Sequence, residues 1–333
     1  MANKIDWQKV LEAVKSVSQA NTGVSVVLRK ELADYLNGKR FLILALLVVF
    51  TCLAALYTAA ATIRSTVGGD PLEFVFLRLF TTSGASLPFS FISFIAFLGP
   101  LVGLILGFDA INGERDRGTL SRVLSQPIYR DALINGKFLA GVTVIAIVIY
   151  SLGLLVGGLG LIMIGIPPTV EELLRILAYL TLSVVYISFW LALSMLFSVL
   201  FRQTSTSALA GIATWLFLAI FAGLLANLVA EGIYPLTDTA DIDTAIAQTR
   251  LQQNLSRLSP TTLYDEAVTI LLNPSVRTLG PVMIEQIIGA IKGPVSFGQS
   301  LLLIWPHVVG LLAVVCLCFA VAYINFMRQE IRA

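Results

Sequence analysis

Six long apolar runs dominate the chain, at about 41–63, 87–108, 138–166, 176–201, 207–230 and 299–324, and none carries a Lys, Arg, Asp or Glu in its middle. A helix needs roughly 20 mostly apolar residues to cross the hydrocarbon core of a bilayer. Backbone polar groups in lipid must be satisfied within the segment, so each run reads as a helix. A transmembrane β-barrel would instead alternate in segments of about ten residues, and these runs do not alternate. The 333 residues are 57% hydrophobic and 13% charged, against about 45–50% and 25% in a soluble domain. That balance excludes a disordered chain, a disulfide-rich secreted module and an ordinary cytosolic enzyme. The net charge of +2 gives no reason to expect nucleic acid. The predicted fold class is an all-α polytopic membrane protein with six transmembrane helices.

The loops set an orientation, because Lys and Arg gather on the cytoplasmic side of membrane proteins. One side would hold Lys4, Lys9, Lys15, Arg29, Lys30, Lys39, Arg40, Arg115, Arg117, Arg122, Arg130, Lys137, Arg202, Arg328 and Arg332. The short loops of the other side hold Arg64, Arg78 and Arg175. Both termini are therefore expected in the cytoplasm, with the chain multi-pass in a plasma or inner membrane. The first span begins too far into the chain, and is too long, for a cleaved signal peptide. Cys52, Cys316 and Cys318 lie inside apolar runs and read as packing residues, so no metal site or disulfide is expected.

Four regions follow. Residues 1–40 are cytoplasmic or interfacial. Within them Trp7, Val10, Leu11, Val14 and Val17 form one helical stripe, and Val24, Leu28, Leu32, Tyr35 and Leu36 form another. The second stripe, broken by Asn37-Gly38 before Lys39 and Arg40, suits an elbow helix lying in the membrane interface. Residues 41–230 hold spans one to five and a loop at 109–136. Gly153, Gly157, Gly158 and Gly160 crowd the outer half of the third span, where small residues let helices approach closely. Residues 231–298 form an acidic outer segment with two helical runs, at Ile242, Ile246, Leu251 and Leu255 and at Leu263, Ala267, Ile270 and Leu271. A helical extracytoplasmic cap is expected there. Residues 299–333 are the sixth span and a tail.

Catalytic constellations are absent from the sequence. His307 is the single histidine, which excludes a histidine-based metal cluster. There is no His-Glu-x-x-His, no plausible nucleophile elbow, and no Gly-x-x-x-x-Gly-Lys-Ser/Thr with which to cradle ATP. No pair of acids sits mid-span. His307, after Pro306, and Asn227 are candidate cavity-lining residues, with ordinary interfacial hydrogen bonding as the blander reading. Asp109 closes the second span and belongs at its edge, since a charge at the bilayer centre costs at least about 2.5 kcal/mol.

The segment from Gly107 to Asp131 is the most informative. Asn112-Gly113 reads as a helix end that tolerates positive φ. Glu114, Arg115, Asp116 and Arg117 read as a charged patch facing water. Gly118 loosens the chain, and Thr119 is a candidate N-cap. Leu120, Val123 and Leu124 make one apolar face on a helix of about two turns, which Pro127 stops before Arg130. A helix that short needs a surface to rest on. The mixed charges around it favour a protein over anionic lipid.

The run Asp109-Ala-Ile-x-Gly-Glu-Arg-x-x-Gly-Thr-Leu, followed by Leu124-Ser-Gln-Pro and Arg130, resembles the cytoplasmic loop of ABC-2 type permeases, closest to the group that serves nitrous oxide reductase maturation. The resemblance implies an ATP-driven transporter, an exporter in this reading, in which this chain is the permease. It implies that Glu114, Arg115, Gly118, Thr119, Leu120, Leu124, Pro127 and Arg130 belong to an element docking a separate ATPase. Val123 joins them on the apolar face. The implied partners are two ATPase subunits, a second permease copy and the bilayer, with an extracytoplasmic protein at 231–298 as a further candidate. ATP and magnesium would be bound by the ATPase, and no cofactor by this chain. The alternative is a non-transporting scaffold or receptor anchor that holds an extracytoplasmic partner.

Overall fold

A computed structural model describes residues 23–66, 74–83, 89–118, 129–235, 242–276 and 294–329. Among them there are helices and no strand. The helices are α1 (residues 23–36), α2 (Lys39–Thr66), α3 (Val75–Thr81), α4 (Phe91–Gly107), α5 (Asn112–Asp116), α6 (Arg130–Ile164), α7 (Val170–Leu200) and α8 (Thr204–Leu216). A π-helical turn (Phe217–Phe221) joins α8 to α9 (Ala222–Ile233), and α10 (Ile242–Ser256), α11 (Pro260–Leu272) and α12 (Phe297–Arg328) follow. The stripe expected at Trp7–Val17 lies outside the described residues, as do Thr119, Leu120, Val123, Leu124 and Pro127.

Six stretches are long and apolar enough to span a membrane: Phe41–Ile63, Phe91–Asp116, Arg130–Ile164, Val170–Leu200, Thr204–Ile233 and Phe297–Arg328. The fold is thus the six-span helical bundle that hydropathy requires. The third and fourth spans begin well before their apolar runs, taking in Lys137 and Arg175. Both residues were expected in loops and both are buried. α7 is the axis of the bundle, with 72% of its span buried against 11% for span five. A capping box starts it, in which the Thr169 hydroxyl accepts from the Glu172 amide while the Glu172 carboxylate accepts from the Thr169 amide.

α4 packs tightly on α7 because Gly99, Gly103 and Gly107 recur every fourth residue along one face. A Cβ on Gly103 would stand 2.6 Å from the Ile187 carbonyl oxygen and 2.8 Å from the Leu191 nitrogen. The close approach brings donors of α7 onto α4 carbonyls, from Ser194 Oγ to Leu104 (2.8 Å) and from Tyr186 Oη to Ala96 (3.1 Å). The glycines of span three divide: Gly153 and Gly160 press on Leu180 and Leu79, while Gly157 and Gly158 face open space.

α1 also differs in detail from its sequence reading. Its buried face centres on Val27 and Glu31, and Leu36 is exposed. Gly136 of α6 makes room for it, since a Cβ there would lie 2.7 Å from Val27. Of the three cysteines, Cys52 and Cys318 are buried and Cys316 is exposed.

At the end of the bundle opposite α1, both helical runs of the 231–298 segment form, as α10 and α11. α11 does not rest on top of the bundle. Ser259 Oγ donates to the Leu218 carbonyl (3.2 Å), and Leu218 lies about 20 Å along the helix from either end of span five. Tyr264 is fully buried, stacked on Tyr186 of α7 with centroids 4.1 Å apart and hydrogen-bonded to Ser183 (2.8 Å). Pro260 at the first turn, where its missing N–H costs nothing, starts a helix whose apolar stripe of Ala267, Val268 and Leu271 is buried among the spans. Arg175 of α7 holds the far end. Its buried guanidinium donates to the carbonyls of Leu271 and Val295, to Ser300 Oγ and to Glu171.

Gly103→Ala is expected to destabilise the protein by about 1–3 kcal/mol, the usual penalty for overpacking, whereas Gly157→Ala adds no clash. Thermal unfolding in detergent checks this, and equal melting temperatures for the two variants would contradict the packing described.

Candidate functional site

Of the residues singled out between 109 and 136, the described ones gather at the α1 end of the bundle. α5 follows span two directly, and Asn112-Gly113 begin it instead of ending the span. Gly113 lacks a positive φ, whereas Gly118, which has φ +65°, takes the turn. Ser198 of α7 secures this junction. Its hydroxyl accepts from the Ile111 and Asn112 amides (3.0 and 3.2 Å) and donates to Asn112 Oδ1 (2.9 Å).

Glu114 was expected to face water with its neighbours, but it is only 6% exposed. α5 turns it inward to meet Lys137 of α6, whose Nζ lies 2.8 Å from Glu114 Oε1 and 2.8 Å from Glu31 Oε1 of α1. Lys30 bridges outward, 2.9 Å from Glu31 and 3.1 Å from Asp34. One ammonium thus ties three helices. Burial opposes the charge on Glu31, yet the ammoniums of Lys137 and Lys30 outweigh it and hold the carboxyl below its ordinary value. Tyr35 fixes α1 further by donating to the Leu106 carbonyl (2.9 Å). The network borders a cleft of about 790 Å³ whose described wall carries acids and bases in equal number: Glu31, Asp34, Asp109 and Glu114 against Lys30, Lys39, Arg117 and Lys137.

The residues flanking 119–128 converge on the end of the last span. Arg115 donates to Gln329 Oε1 (2.6 Å), Arg130 donates to the Gln329 carbonyl (3.0 Å), and Gln329 Nε2 reaches the Val199 carbonyl of α7 (2.8 Å). Both ends of the segment are therefore fixed to α7 and α12, while Asp116, Arg117 and Gly118 stay exposed. The structure brings Glu114, Arg115, Gly118 and Arg130 together at this face.

The two other candidates lie elsewhere. His307 of α12 is largely buried and pairs through Nε2 with Glu266 Oε2 of α11 (2.7 Å), and Arg257 Nε reaches the same oxygen at 2.8 Å. Burial disfavours the Glu266 carboxylate, but these hydrogen bonds outweigh it and lower its pKa. Asn227 donates to Glu231 one helical turn away (2.7 Å). Neither lines the cleft above or a second cavity of about 720 Å³ between spans one, two and five and α11. The sequence reading missed Glu31 and Lys137 as a pair. A lysine directly after a glycine, seven residues inside a long helix, was the available signal.

The fold and this face define a multi-pass membrane protein of six spans, with the residues on either side of 119–128 tied to Gln329 at one end. The chain belongs to the ABC-2 family of transporter proteins, whose family description matches residues 25–331. It is 35% identical over 124 residues to the probable ABC transporter permease protein NosY of Pseudomonas aeruginosa, covering 37% of this chain and 40% of that one. It is 31% identical over 123 residues to the protein of the same description from Stutzerimonas stutzeri, with the same coverage. The chain thus matches 40% of the length of either relative.

Two outcomes follow from the ion network. Lys137→Met removes the closest cation of Glu114 and leaves Glu31 only the more exposed Lys30, and is expected to cost up to about 3–5 kcal/mol. A melting temperature unchanged from wild type would contradict this. Glu31 has its folded pKa depressed below 4.5, so its stabilising effect is complete above that value and lost as pH falls through the lower folded value. Acidifying below about pH 4.5 should lower the wild-type melting temperature more than that of Glu31→Gln, whereas equal acid sensitivity would oppose the assignment.

Proposed function

We propose that this chain is the permease subunit of an ATP-driven exporter, receiving force from a separate ATPase through the segment 119–128. The observation that carries this reading is the mounting of that segment. Its two flanks are tied by Arg115 and Arg130 to Gln329, and through it to α7, while Glu114 is tied by Lys137 to α1 and α6. A push on the segment would be delivered to spans two, three, four and six together. Packed helices with two arrangements can turn such a push into rocking of whole bundles. The balanced charges of the adjoining cleft suit a protein surface better than anionic lipid, which would select bases alone.

In this reading the α1 end is cytoplasmic, as the distribution of Lys and Arg indicates, and both termini lie there. α1 is an interfacial elbow before span one, and α10 belongs to the extracytoplasmic side. Two permeases and two ATPases form the working unit, with ATP and magnesium bound by the ATPases. The family membership and the likeness to proteins described as probable permeases support the reading.

Two measurements test it. A tagged permease should co-purify an ATPase from its own membrane, and failure to do so under conditions that preserve the bilayer would count against the docking role. Leu120→Asp combined with Leu124→Asp should leave insertion intact and uncouple ATP hydrolysis from transport. Unchanged coupling in that variant would overturn the assignment of 119–128.

A further inference from the structure

The second cavity is an open-sided groove between spans one, two and five and α11 that reaches mid-span depth. Thr51, near the middle of span one, borders it, as does Ala219 in the π-helical turn of span five. On the opposite wall α11, inserted at this depth through the bond from Ser259 to Leu218, contributes Thr261 and Asp265. A π-turn inside a membrane helix frequently marks a functional position. This one opens span five where α11 meets it.

Asp265 is the one charged residue in the described lining of this cavity. Most of the remaining wall is apolar or aromatic, with Phe97 and Trp215 packed edge-to-face at 5.1 Å. The carboxylate of the next residue, Glu266, is taken up by His307 and Arg257. The Asp265 carboxylate has no ion pair or side-chain hydrogen bond among the described residues, and the cavity reaches it. The Asp265 side chain is exposed to the groove, and the apolar protein beside it raises its pKa to about 6. An ionisable group at membrane depth calls for a counter-charge, and aromatic walls attract cations. The volume of about 720 Å³ falls in the range of small-molecule sites, about 300–1,000 Å³.

We propose that this cavity binds amphiphiles bearing a cationic headgroup, with Asp265 receiving the headgroup and the walls formed by Phe97 and Trp215 receiving the apolar portion. The inference rests on the transporter reading only in treating that ligand as cargo. Binding itself requires no ATPase. The headgroup can come from an amine-bearing phospholipid or from a free lipophilic cation, which share the same chemistry.

The test uses the full chain in uncharged detergent with tetraphenylphosphonium, and with tetraphenylborate as a probe of matched size and opposite charge. Equilibrium dialysis should show saturable binding of the cation, about tenfold tighter than the anion given the Coulomb attraction of an unpaired carboxylate beside apolar and aromatic walls. Asp265→Asn should lose that preference, and Asp265→Glu should keep it. Competition by phosphatidylethanolamine would support the site with a lipid headgroup as its ligand. Absence of competition, with the cation preference intact, would support it with a free cation. Indistinguishable affinities for the two probes on the wild-type chain would overturn the proposal without need of any variant, as would full cation preference in Asp265→Asn. Neither result bears on whether an ATPase co-purifies, so the two readings fail separately.

Discussion

One buried ammonium organises the α1 end of this protein. Lys137 sits inside a membrane helix at 3% exposure, where an unpaired charge would cost several kcal/mol. It is tolerated because α1 and α5 each deliver a carboxylate to 2.8 Å. The dependence is mutual, since Lys137 is the closest cation to Glu114 and shares Glu31 only with the more exposed Lys30. α1 therefore has to dock where it does, and Gly136 has to be small for Val27 to approach. The start of span three, the end of span two and the first described helix become one unit, and that unit adjoins the segment proposed to receive the ATPase.

The opposite end solves a similar problem with mostly neutral acceptors. Arg175 is wholly buried and distributes its donors over two carbonyls, one hydroxyl and one carboxylate. It thereby locks the last turn of α11 and the start of span six onto α7. With Tyr264 stacked on Tyr186 deeper down, α11 becomes part of the bundle interior. Its acids then acquire distinct surroundings: Glu266 is paired, while Asp265 looks into a cavity.

Much of the bundle was legible in the sequence because lipid imposes a simple rule on length and polarity. Span one was read with its observed boundaries, and the helices at 242–256 and 260–272 were read from their apolar periodicity. The spans that began too late did so at Lys137 and Arg175, since hydropathy treats a charge as a boundary and cannot see partners on distant helices. The same blindness turned Glu114 toward water. The repeat of Gly99, Gly103 and Gly107 was present in the sequence but was overshadowed by the glycines of span three, of which Gly157 and Gly158 touch nothing. The insertion of α11 could not be read at all, because an amphipathic helix on a surface and one between spans share a pattern. In the candidate site, Arg115 and Arg130 were named from a motif, and only the fold shows why they belong together, through Gln329.

The central claim is that force enters through the segment 119–128. Photocrosslinking from a probe at position 124 tests it most directly, in membranes containing the chain and its ATPase. The account predicts a crosslink to the ATPase subunit whose yield changes between nucleotide-free and ATP-bound states. Crosslinks confined to lipid, or to this chain alone in both states, would contradict it.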